Sequence, residues 1–274
     1  MTTIAAALLQ ARDCGVERLD AQLLVAHVLG QTRSWVIAHD DAALGGKAAE
    51  LSALLGRRAS GEPLAYLLGE REFHGLALRV TADVLVPRAD TETLVDWALE
   101  LLDGLPSPRV IDLGTGSGAI ALAVKHSCPR AEVHANDLSE RALAVATTNG
   151  QALGLAVHWH RGPWWQAAPA GRFDLALSNP PYVAVGDPHL AALRHEPSMA
   201  LTPAGDRGDG LADIERIVAG AAARLHQGAW LLIEHGADQG NAVRALFDRA
   251  GFCSVQTRQD LAARPRVTGG CRGQ

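Results

Sequence analysis

Two short motifs contain residue types that could perform chemistry together. A tetrapeptide at 179–182, Asn-Pro-Pro-Tyr, directly follows an apolar run, and a glycine-rich stretch at 112–118 lies about sixty residues earlier. Either motif alone is compatible with an ordinary turn. Both follow predicted strands, however, and open α/β sheets bind ligands at the carboxyl ends of their strands. The pair therefore predicts a site that presents a planar NH2 group to the methyl group of S-adenosylmethionine.

The glycine-rich stretch, Asp-Leu-Gly-Thr-Gly-Ser-Gly, is typical of a strand-to-helix turn that holds a nucleotide-type cofactor. Its glycines allow the backbone to approach a ligand closely. The G-x-G-x-G spacing differs from the G-x-G-x-x-G of dinucleotide sites, which leaves dinucleotide binding as an alternative. Asp112 favours a cationic amino-acid group over a pyrophosphate. Asp137, which ends the next predicted strand, is placed to accept from ribose hydroxyls. The predicted cofactor-binding residues are Asp112, Gly114, Thr115, Gly116, Ser117, Gly118, Asp137 and Asn179.

The tetrapeptide supplies acceptors for the two hydrogens of an NH2 group. The predicted acceptors are the Asn179 side-chain oxygen and the Pro180 carbonyl, and neither Pro180 nor Pro181 has a competing N–H. Tyr182 offers an aromatic face for a planar amide or base. Two directed hydrogen bonds hold a weakly nucleophilic nitrogen in line with the donor methyl group, and no strong base is required before transfer. Asn179, Pro180 and Tyr182 are thus predicted to be catalytic, and all four residues to bind the substrate.

Alternating strand and helix patterns from residue 109 onward predict a mostly parallel sheet with helices on both faces. The predicted strands are 110–113, 132–136, 156–160, 173–178, 229–234 and 252–257, and the predicted helices are 118–126, 139–153, 209–226 and 238–250. Residues 266–268 are expected to add a final edge strand. This pattern predicts an α/β, Rossmann-like catalytic domain.

The chain before this domain shows two other patterns. Helically spaced leucines separated by glycines predict a small helical bundle over 1–70. Apolar spacing from 72 to 86, including 84–86, predicts a β-hairpin in a linker at 71–90. A helix is predicted to begin near Asp90 and Thr91, either of which can cap it, with Glu92 in the first turn. The catalytic domain then covers 91–274.

Composition indicates a soluble globular enzyme. The 274 residues are 48% apolar and 20% charged, and the formal charge of −5 argues against a protein that coats nucleic acid. Four scattered cysteines without a C-x-x-C pair indicate reduced thiols. No apolar run approaches the roughly 18 residues that a membrane helix needs. The first residues also lack the pattern of a secretory signal, so a cytoplasmic location is expected.

These motifs and several others resemble the peptide chain release factor glutamine methyltransferases. The other segments that carry the resemblance are Gly-Glu-Pro-Leu-Ala-Tyr at 61–66, Val-Pro-Arg at 86–88 with Asp-Thr-Glu at 90–92, Glu-Pro at 196–197, Gly-Asp-Gly-Leu at 208–211, Glu-His-Gly at 234–236 and Arg-Val-Thr at 266–268. The resemblance implies a class I methyltransferase domain with a seven-stranded sheet, preceded by a helical domain that recognises the release factor. S-Adenosylmethionine is the implied methyl donor. The implied substrates are class I release factors, methylated on the side-chain amide nitrogen, N5, of the glutamine in a Gly-Gly-Gln loop.

The same resemblance implies roles for two more residues. Trp164 would pack near the adenine, and Arg88 would support substrate binding. The family usually has an acidic residue immediately before that tryptophan, whereas this chain has Pro163, which leaves the adenine contact and the Trp164/Trp165 register open. Ala89 also stands where a proline is usual, which should only loosen the turn.

Other functions stay open on the sequence alone. Adenine N6 of DNA presents a similar NH2 group, but such an enzyme would be expected to have a target-recognition domain and basic clefts. A glutamine of a ribosomal protein is a second alternative substrate, and a non-catalytic S-adenosylmethionine-binding module is a further hypothesis. His158 and His160 alternate on one predicted strand without a Cys or carboxylate at ligand spacing, so no metal is expected. Neither a membrane nor a direct nucleic-acid partner is expected.

Overall fold

The computed structural model describes residues 2–273, and the chain divides into two compact units between Glu70 and Arg71. The N-terminal unit is helical, as predicted. Its helices are α1 (Ile4–Asp13), α2 (Arg18–Leu29), α3 (Arg33–Ala38), α4 (Ala48–Ala59) and α5 (Leu64–Leu68). Thr3 and Thr32 accept hydrogen bonds from backbone amides at the starts of α1 and α3, because their hydroxyls meet the free N–H groups there. Gly30, in the left-handed conformation, ends α2.

A two-stranded sheet follows the helices, formed by β1 (Glu70–Phe73) and β2 (Leu76–Arg79). The predicted hairpin is therefore present. The strand prediction for 84–86 is wrong, since these residues form a loop. Val84 and Val86 are nevertheless buried, so their apolar character reports burial rather than a strand.

The second unit contains a seven-stranded sheet with helices on both faces. Its strands are β3 (Arg109–Leu113), β4 (Glu132–Asp137), β5 (His158–Arg161), β6 (Phe173–Ser178), β7 (Leu225–Glu234), β8 (Phe252–Gln259) and β9 (Pro265–Arg272). Its helices are α6 (Glu92–Leu102), α7 (Ala119–Ser127), α8 (Glu140–Leu153), α9 (Ala212–Arg224) and α10 (Gly240–Arg249). These elements confirm the predicted alternation, with boundaries that differ by up to four residues.

The strand order is β5-β4-β3-β6-β7-β9-β8. Strands β3 to β7 pair in parallel, whereas β9 is antiparallel to both β7 and β8. The prediction of a final edge strand at 266–268 is therefore wrong, because β9 lies inside the sheet and β8 forms the edge. Two glycines allow this position: a Cβ on Gly269 would lie 2.4 Å from Leu232, and one on Gly270 would lie 2.8 Å from Phe247.

Side chains alternate between two apolar layers along the central strands. Val110 and Leu232 pack with α6 and α7 on one face, whereas Ile111 and Ile233 pack with α9 and α10 on the other. A sheet buried on both faces explains why these strands are nearly continuous apolar runs. Among the described residues, no helix is long and apolar enough to cross a membrane. The four cysteines are free thiols.

The order in which successive strands are added to the sheet reverses after β5, so that β6 pairs with β3 on the side opposite β4. From β3 the chain proceeds outward to β4 and β5, then returns to β6 on the other side of β3. Such a reversal leaves a crevice at the carboxyl ends of the two central strands, where α/β proteins bind ligands. The glycine-rich stretch follows β3 and the Asn-Pro-Pro-Tyr tetrapeptide follows β6, so the topology brings the two motifs together.

Candidate functional site

A cavity of about 470 Å³ lies where β3, β4 and β6 end. This volume is typical of small-molecule sites. The predicted site residues that line it are Arg88, Gly114, Thr115, Gly116, Ser117, Asp137, Trp164, Asn179 and Pro181. Four other predicted residues stand behind this lining rather than on it: Asp112, Gly118, Pro180 and Tyr182.

The three glycines of the loop after β3 differ in what an added side chain would meet. A Cβ on Gly114 would lie 2.9 Å from the Trp164 ring, so this glycine allows the ring to pack on the backbone. A Cβ on Gly116 would meet no protein atom within 4 Å and would occupy cavity space instead. Gly118 does not line the cavity, and a Cβ there would lie 3.1 Å from Trp159. All three have positive φ, which favours glycine.

Asp112 is completely buried at the end of β3. Its Oδ2 accepts from the Thr115 hydroxyl at 2.5 Å, whereas Oδ1 is buried with no hydrogen-bond partner among the described residues. Burial raises the pKa of this carboxyl to about 7, and repulsion from Asp137 adds to the rise, whereas hydrogen bonding to Thr115 and to the Ala121 backbone amide opposes it. Among the described residues, no Lys or Arg side chain is paired with the Asp112 carboxyl. The orphaned oxygen and the open space at Gly116 therefore fit a ligand that carries positive charge.

Asp137 faces the cavity from the end of β4. Its Oδ2 accepts from the Gly116 amide at 2.9 Å, and its Oδ1 accepts from the Ser139 amide at 2.8 Å. Burial raises the pKa of Asp137, and the backbone hydrogen bonds oppose that rise. Each carboxylate oxygen retains a further lone pair. Asp137 therefore shapes the glycine loop, and its predicted contact with ribose hydroxyls stays a prediction.

The two tryptophans that follow β5 lie in different environments, one at the cavity and one in the core. Trp164 lines the cavity, and Asn136 holds its backbone carbonyl with a 2.8 Å hydrogen bond from Nδ2. Trp165 is buried in the core, where Nε1 donates to the Ile217 carbonyl at 2.7 Å. The structure thus assigns Trp164 to the cavity, although the residue before it is Pro163. Trp164 has φ of +42°, a backbone conformation uncommon for a bulky residue.

Asn179 occupies the first position after β6 and lines the cavity. Its Nδ2 donates to the Thr91 hydroxyl oxygen at 3.3 Å. The Asn179 side-chain oxygen lies on the other branch of the amide and is available as an acceptor. Pro181 lines the cavity, and Pro180 is buried behind it.

Tyr182 is half-buried beside the apolar layer of α9 and α10 and does not line the cavity. Its hydroxyl donates to Glu234 Oε1 at 3.2 Å, and burial raises its pKa. Its backbone carbonyl accepts from Gln239 Nε2 at 3.0 Å. A Cβ on Gly210 would lie 2.0 Å from that carbonyl, which explains the glycine at this position. Tyr182 therefore anchors the tetrapeptide, and its predicted contact with the substrate stays a prediction.

Arg88 lines the cavity and forms an ion pair with Glu196, whose side chain is buried. Glu196 also accepts from the Val86 amide at 3.0 Å. A second pair lines the same cavity, with Arg216 donating to Asp213 at 2.6 Å. These pairs place two guanidinium groups beside the cavity with their charges already partnered.

The prediction that Asp90 or Thr91 caps α6 is wrong, since no side chain caps this helix. Thr91 instead contacts Asn179, and Asp90 forms an ion pair with Arg266 at 3.2 Å. Sequence reasoning missed the roles of Thr91 and Glu234. The only available signal was their presence in segments, 86–92 and 234–236, that carry the family resemblance.

His158 and His160 lie on β5 beside His134 of β4. His134 Nδ1 is 3.0 Å from His160 Nε2, and His134 Nε2 is 2.7 Å from Glu132. Burial lowers the pKa of both His134 and His160. Across residues 2–273, no group of three or more His, Cys, Asp or Glu side chains is arranged to hold a metal ion.

Family models match both units of the chain. The model described as the PrmC N-terminal domain matches residues 2–69. The model described as the methyltransferase small domain matches residues 91–205, which include the glycine loop and the Asn-Pro-Pro-Tyr tetrapeptide. The glycine-rich stretch and the tetrapeptide thus lie within one matched domain.

Two relatives that align along nearly the whole chain carry the same name. The chain is 52% identical over 262 residues to a release factor glutamine methyltransferase of Bordetella pertussis, with 94% of this chain and 96% of the relative covered. It is 42% identical over 255 residues to the protein of that name from Escherichia coli, with 92% and 91% covered.

Two solved structures share the fold at low sequence identity. A methyltransferase from Pyrococcus furiosus aligns with a TM-score of 0.54 and 16% identity, covering 73% of this chain and 90% of its own. A 16S rRNA N2 G1207 methyltransferase of Thermus thermophilus, solved with AdoMet and guanosine, aligns with a TM-score of 0.55 and 19% identity, covering 74% of this chain and 49% of its own.

Proposed function

The chain belongs to the release factor glutamine methyltransferase family, and on this premise we propose that it methylates the Gly-Gly-Gln glutamine of class I release factors. It is an S-adenosylmethionine-dependent protein glutamine methyltransferase of Rossmann-like fold, with relatives of this name along nearly its whole length. The methyl group goes to the side-chain amide nitrogen. The N-terminal helical unit recognises the release factor, and the second unit holds the donor and the glutamine amide.

The placement of Asn179 carries this proposal most strongly. Its NH2 is bound to Thr91, so its oxygen is left to accept from a substrate NH2 group at the cavity. The glycine loop follows the neighbouring strand, β3, which pairs with β6. An acceptor for an amide and a loop for a methyl donor therefore meet within one cavity.

The residues around the glycine loop fit S-adenosylmethionine. When bound, the cofactor supplies an electrophilic methyl group on a positively charged sulfur, which leaves with the bonding electron pair. The Asp112 carboxylate, which accepts a hydrogen bond from Thr115, would place negative charge beneath the loop when ionised, and this charge would favour the cationic amino-acid end. Asp137 and Trp164 line the cavity, where Asp137 would accept from the ribose hydroxyls and Trp164 would pack against the adenine.

The tetrapeptide positions the nitrogen that accepts the methyl group. The Asn179 oxygen accepts from the glutamine NH2, and Pro181 contacts the amide within the cavity. Pro180 lies behind the cavity lining, and its carbonyl is the acceptor that we propose for the second hydrogen. These hydrogen bonds strengthen as positive charge develops on the nitrogen, so they stabilise the transition state more than the ground state. The surplus proton leaves to water after transfer. Arg88, oriented by Glu196, lies beside the approaching peptide.

The partner and compartment follow from the same assignment. A net charge of −5 gives the chain no general attraction to nucleic acid, which accords with a protein substrate. Translation termination takes place in the cytoplasm, so we propose that the enzyme works there.

Label transfer from methyl-labelled S-adenosylmethionine tests the proposal directly. The purified chain is incubated with a class I release factor, with its Gly-Gly-Ala variant, with a ribosomal protein fraction and with DNA. We expect label only on the Gly-Gly-Gln release factor, at a single glutamine located by mass spectrometry. Label on ribosomal protein or DNA, with none on the release factor, would overturn the substrate and keep the methyltransferase.

A further inference from the structure

We propose that Cys253 and Cys271 are a redox-active pair of thiols, which a hydroperoxide converts into a reversible disulfide between β8 and β9. The two residues lie 18 positions apart in the sequence, outside any C-x-x-C pattern. The sheet brings them together, because they occupy directly opposite positions on these two antiparallel strands. Neither residue lines the cavity, so the pair is a second site, separate from the proposed site of methyl transfer.

The positions of the two backbones suit a disulfide. Opposite residues on antiparallel strands have Cα atoms about 4.5 or 5.5 Å apart, and their side chains lie on the same face of the sheet. Both separations fall within the range of about 4.4–6.8 Å that disulfides span. The Cys253 thiol reaches across to the partner strand, since its Sγ donates a hydrogen bond to the Cys271 carbonyl oxygen at 3.2 Å. Bond formation therefore requires mainly a rotation of the two side chains.

The backbone next to Cys253 can accommodate the change. In the sheet as described for residues 2–273, β8 is the edge strand and has β9 as its one neighbour. The pairing shifts register between Cys253 and Gln256, and Ser254 has φ of +53°, as in a β-bulge. An edge strand with a bulge can move toward its neighbour without disturbing a second ladder. The Cβ separation of opposite residues, about 4.5–5.5 Å, can thereby close to the roughly 3.8 Å of a disulfide.

The two thiols differ in exposure, and this difference assigns the order of the reaction. Cys253 is exposed, whereas Cys271 is partly buried, and burial raises the pKa of the Cys271 thiol. The exposed thiol is the one that an oxidant in solution meets first. The Cys253 thiolate attacks the peroxide, the O–O bond breaks, and Cys253 becomes a sulfenic acid while an alcohol or water leaves.

The second step forms the disulfide. The Cys271 sulfur attacks the Cys253 sulfur, the S–O bond breaks, and the hydroxyl leaves as water with the proton of the Cys271 thiol. The two thiols together lose two electrons, and these reduce the peroxide. The bond fixes the edge strand on the sheet and protects Cys253 from further, irreversible oxidation to the sulfinic acid. In a reducing compartment such a bond is transient, because the thiol pool reverses it.

Peptide mapping after alkylation of free thiols tests the bond. The full chain is reduced, freed of reductant and treated with hydrogen peroxide. We expect the peptides of Cys253 and Cys271 to be recovered joined, and to separate after treatment with dithiothreitol. Cys14→Ser is the matched control, because it removes a different exposed thiol and should leave the bond unchanged.

Single substitutions within the pair test the order of the steps. Cys271→Ser should leave a sulfenic acid on Cys253 that dimedone traps, whereas Cys253→Ser should leave Cys271 reduced at the same peroxide dose. A sulfinic acid on Cys253 of the unsubstituted chain with Cys271 still free, or disulfides only between molecules, would overturn the inference.

Thermal unfolding of the oxidised and reduced protein tests whether the bond fits the folded strands. A disulfide across the observed register should raise the midpoint of unfolding by about 5 °C, because it restricts the unfolded chain. Cys14→Ser should show the same rise, and neither Cys253→Ser nor Cys271→Ser should show one. A lower midpoint after oxidation would mean that the bond distorts the strands, which contradicts the inference. These measurements need no substrate, so their outcome is independent of the proposed methyl transfer.

Discussion

The two halves of the cavity are held in place in different ways. The glycine loop is fixed mainly by local backbone geometry: positive φ angles, and a hydrogen bond from the Gly116 amide to Asp137 of the adjacent strand. The tetrapeptide is fixed by side chains distant in the sequence, with Thr91 separated by 88 residues from Asn179 and Glu234 by 52 from Tyr182. The cofactor half is therefore built mainly by its own segment and the end of the neighbouring strand β4. The substrate half depends on how α6, β6 and β7 come together.

This contrast predicts that substitutions in the two halves affect different kinetic quantities. Changes in the glycine loop and at Asp137 should appear in cofactor affinity. Changes at the tetrapeptide and its partners should appear in turnover, because they alter acceptors that act in the transition state.

The largest effect is expected for Asn179→Ala. This change removes an acceptor that is strongest in the transition state, and kcat should fall by about 10²- to 10³-fold. Affinity for S-adenosylmethionine, measured by calorimetry, should change little, because Asp112, Asp137 and the glycine loop are intact. A collapse of cofactor affinity with normal turnover of the bound complex would mean that the division between the two halves is wrong.

Asp137→Ala should have the opposite signature. The change removes acceptors for ligand hydroxyls and also leaves the Gly116 amide without its partner. The loss of a charged hydrogen bond, about 1.5–3 kcal/mol, should weaken cofactor binding by about tenfold to a hundredfold. Turnover at saturating cofactor should remain within a few-fold of wild type. Asp174→Ala is a control, since this carboxylate accepts from the Arg109 amide at the far end of the sheet.

The pH dependence of cofactor affinity tests the charge beneath the loop. The ionised form of Asp112 favours a cationic ligand, and its pKa is raised to about 7 by burial. Affinity should therefore fall as the pH decreases below about 7, by up to about tenfold per pH unit. The free protein should show the reverse, because a folded pKa above the unfolded value near 3.9 makes stability decrease as the pH rises toward 7. Asp112→Asn should flatten both curves; a variant that kept the wild-type curves would assign the titration to another group.

The same contrast explains which parts of the site the sequence predicted. The glycine loop and the tetrapeptide were recognisable because each is a contiguous segment after a strand, and their meeting followed from the parallel sheet. The local sequence predicts that Thr91 caps a helix, which is the commonest local role of threonine at such a position. Nothing in the residues around it indicates that its hydroxyl meets Asn179 instead.

The errors in the fold have a similar origin. Apolar alternation predicts a strand but does not identify the strands that it pairs with. The last strand in the sequence is therefore expected at the edge, although β9 lies between β7 and β8. Gly269 and Gly270 within that strand were the overlooked signal, since adjacent glycines in a strand indicate close packing on both faces. The Trp164/Trp165 register was open for the same reason. Two adjacent tryptophans are locally alike, and only the core around Ile217 distinguishes them.

The smallest effect is expected at Asn149, whose side chain links the glycine loop to a segment distant in the sequence. Asn149 therefore tests directly whether the cofactor half depends on local backbone geometry or on distant side chains. It is 2% exposed, and its Nδ2 donates to the Ser117 carbonyl at 2.9 Å and to the Arg79 carbonyl at 3.0 Å. Its Oδ1 accepts from the Arg79 amide at 2.8 Å. Asn149 thereby ties the glycine loop to the strand β2.

Asn149→Ala should lower the free energy of unfolding by about 1–3 kcal/mol, because three backbone groups lose their partner. Cofactor affinity should fall by only about threefold to tenfold, since Asn149 does not contact the ligand site and the loop keeps its own geometry. Chemical denaturation and calorimetry measure the two effects, with Thr148→Val on the same helix as control. A loss of affinity as large as that of Asp137→Ala would show that the glycine loop also depends on distant side chains, and the two halves would then differ in degree rather than in kind.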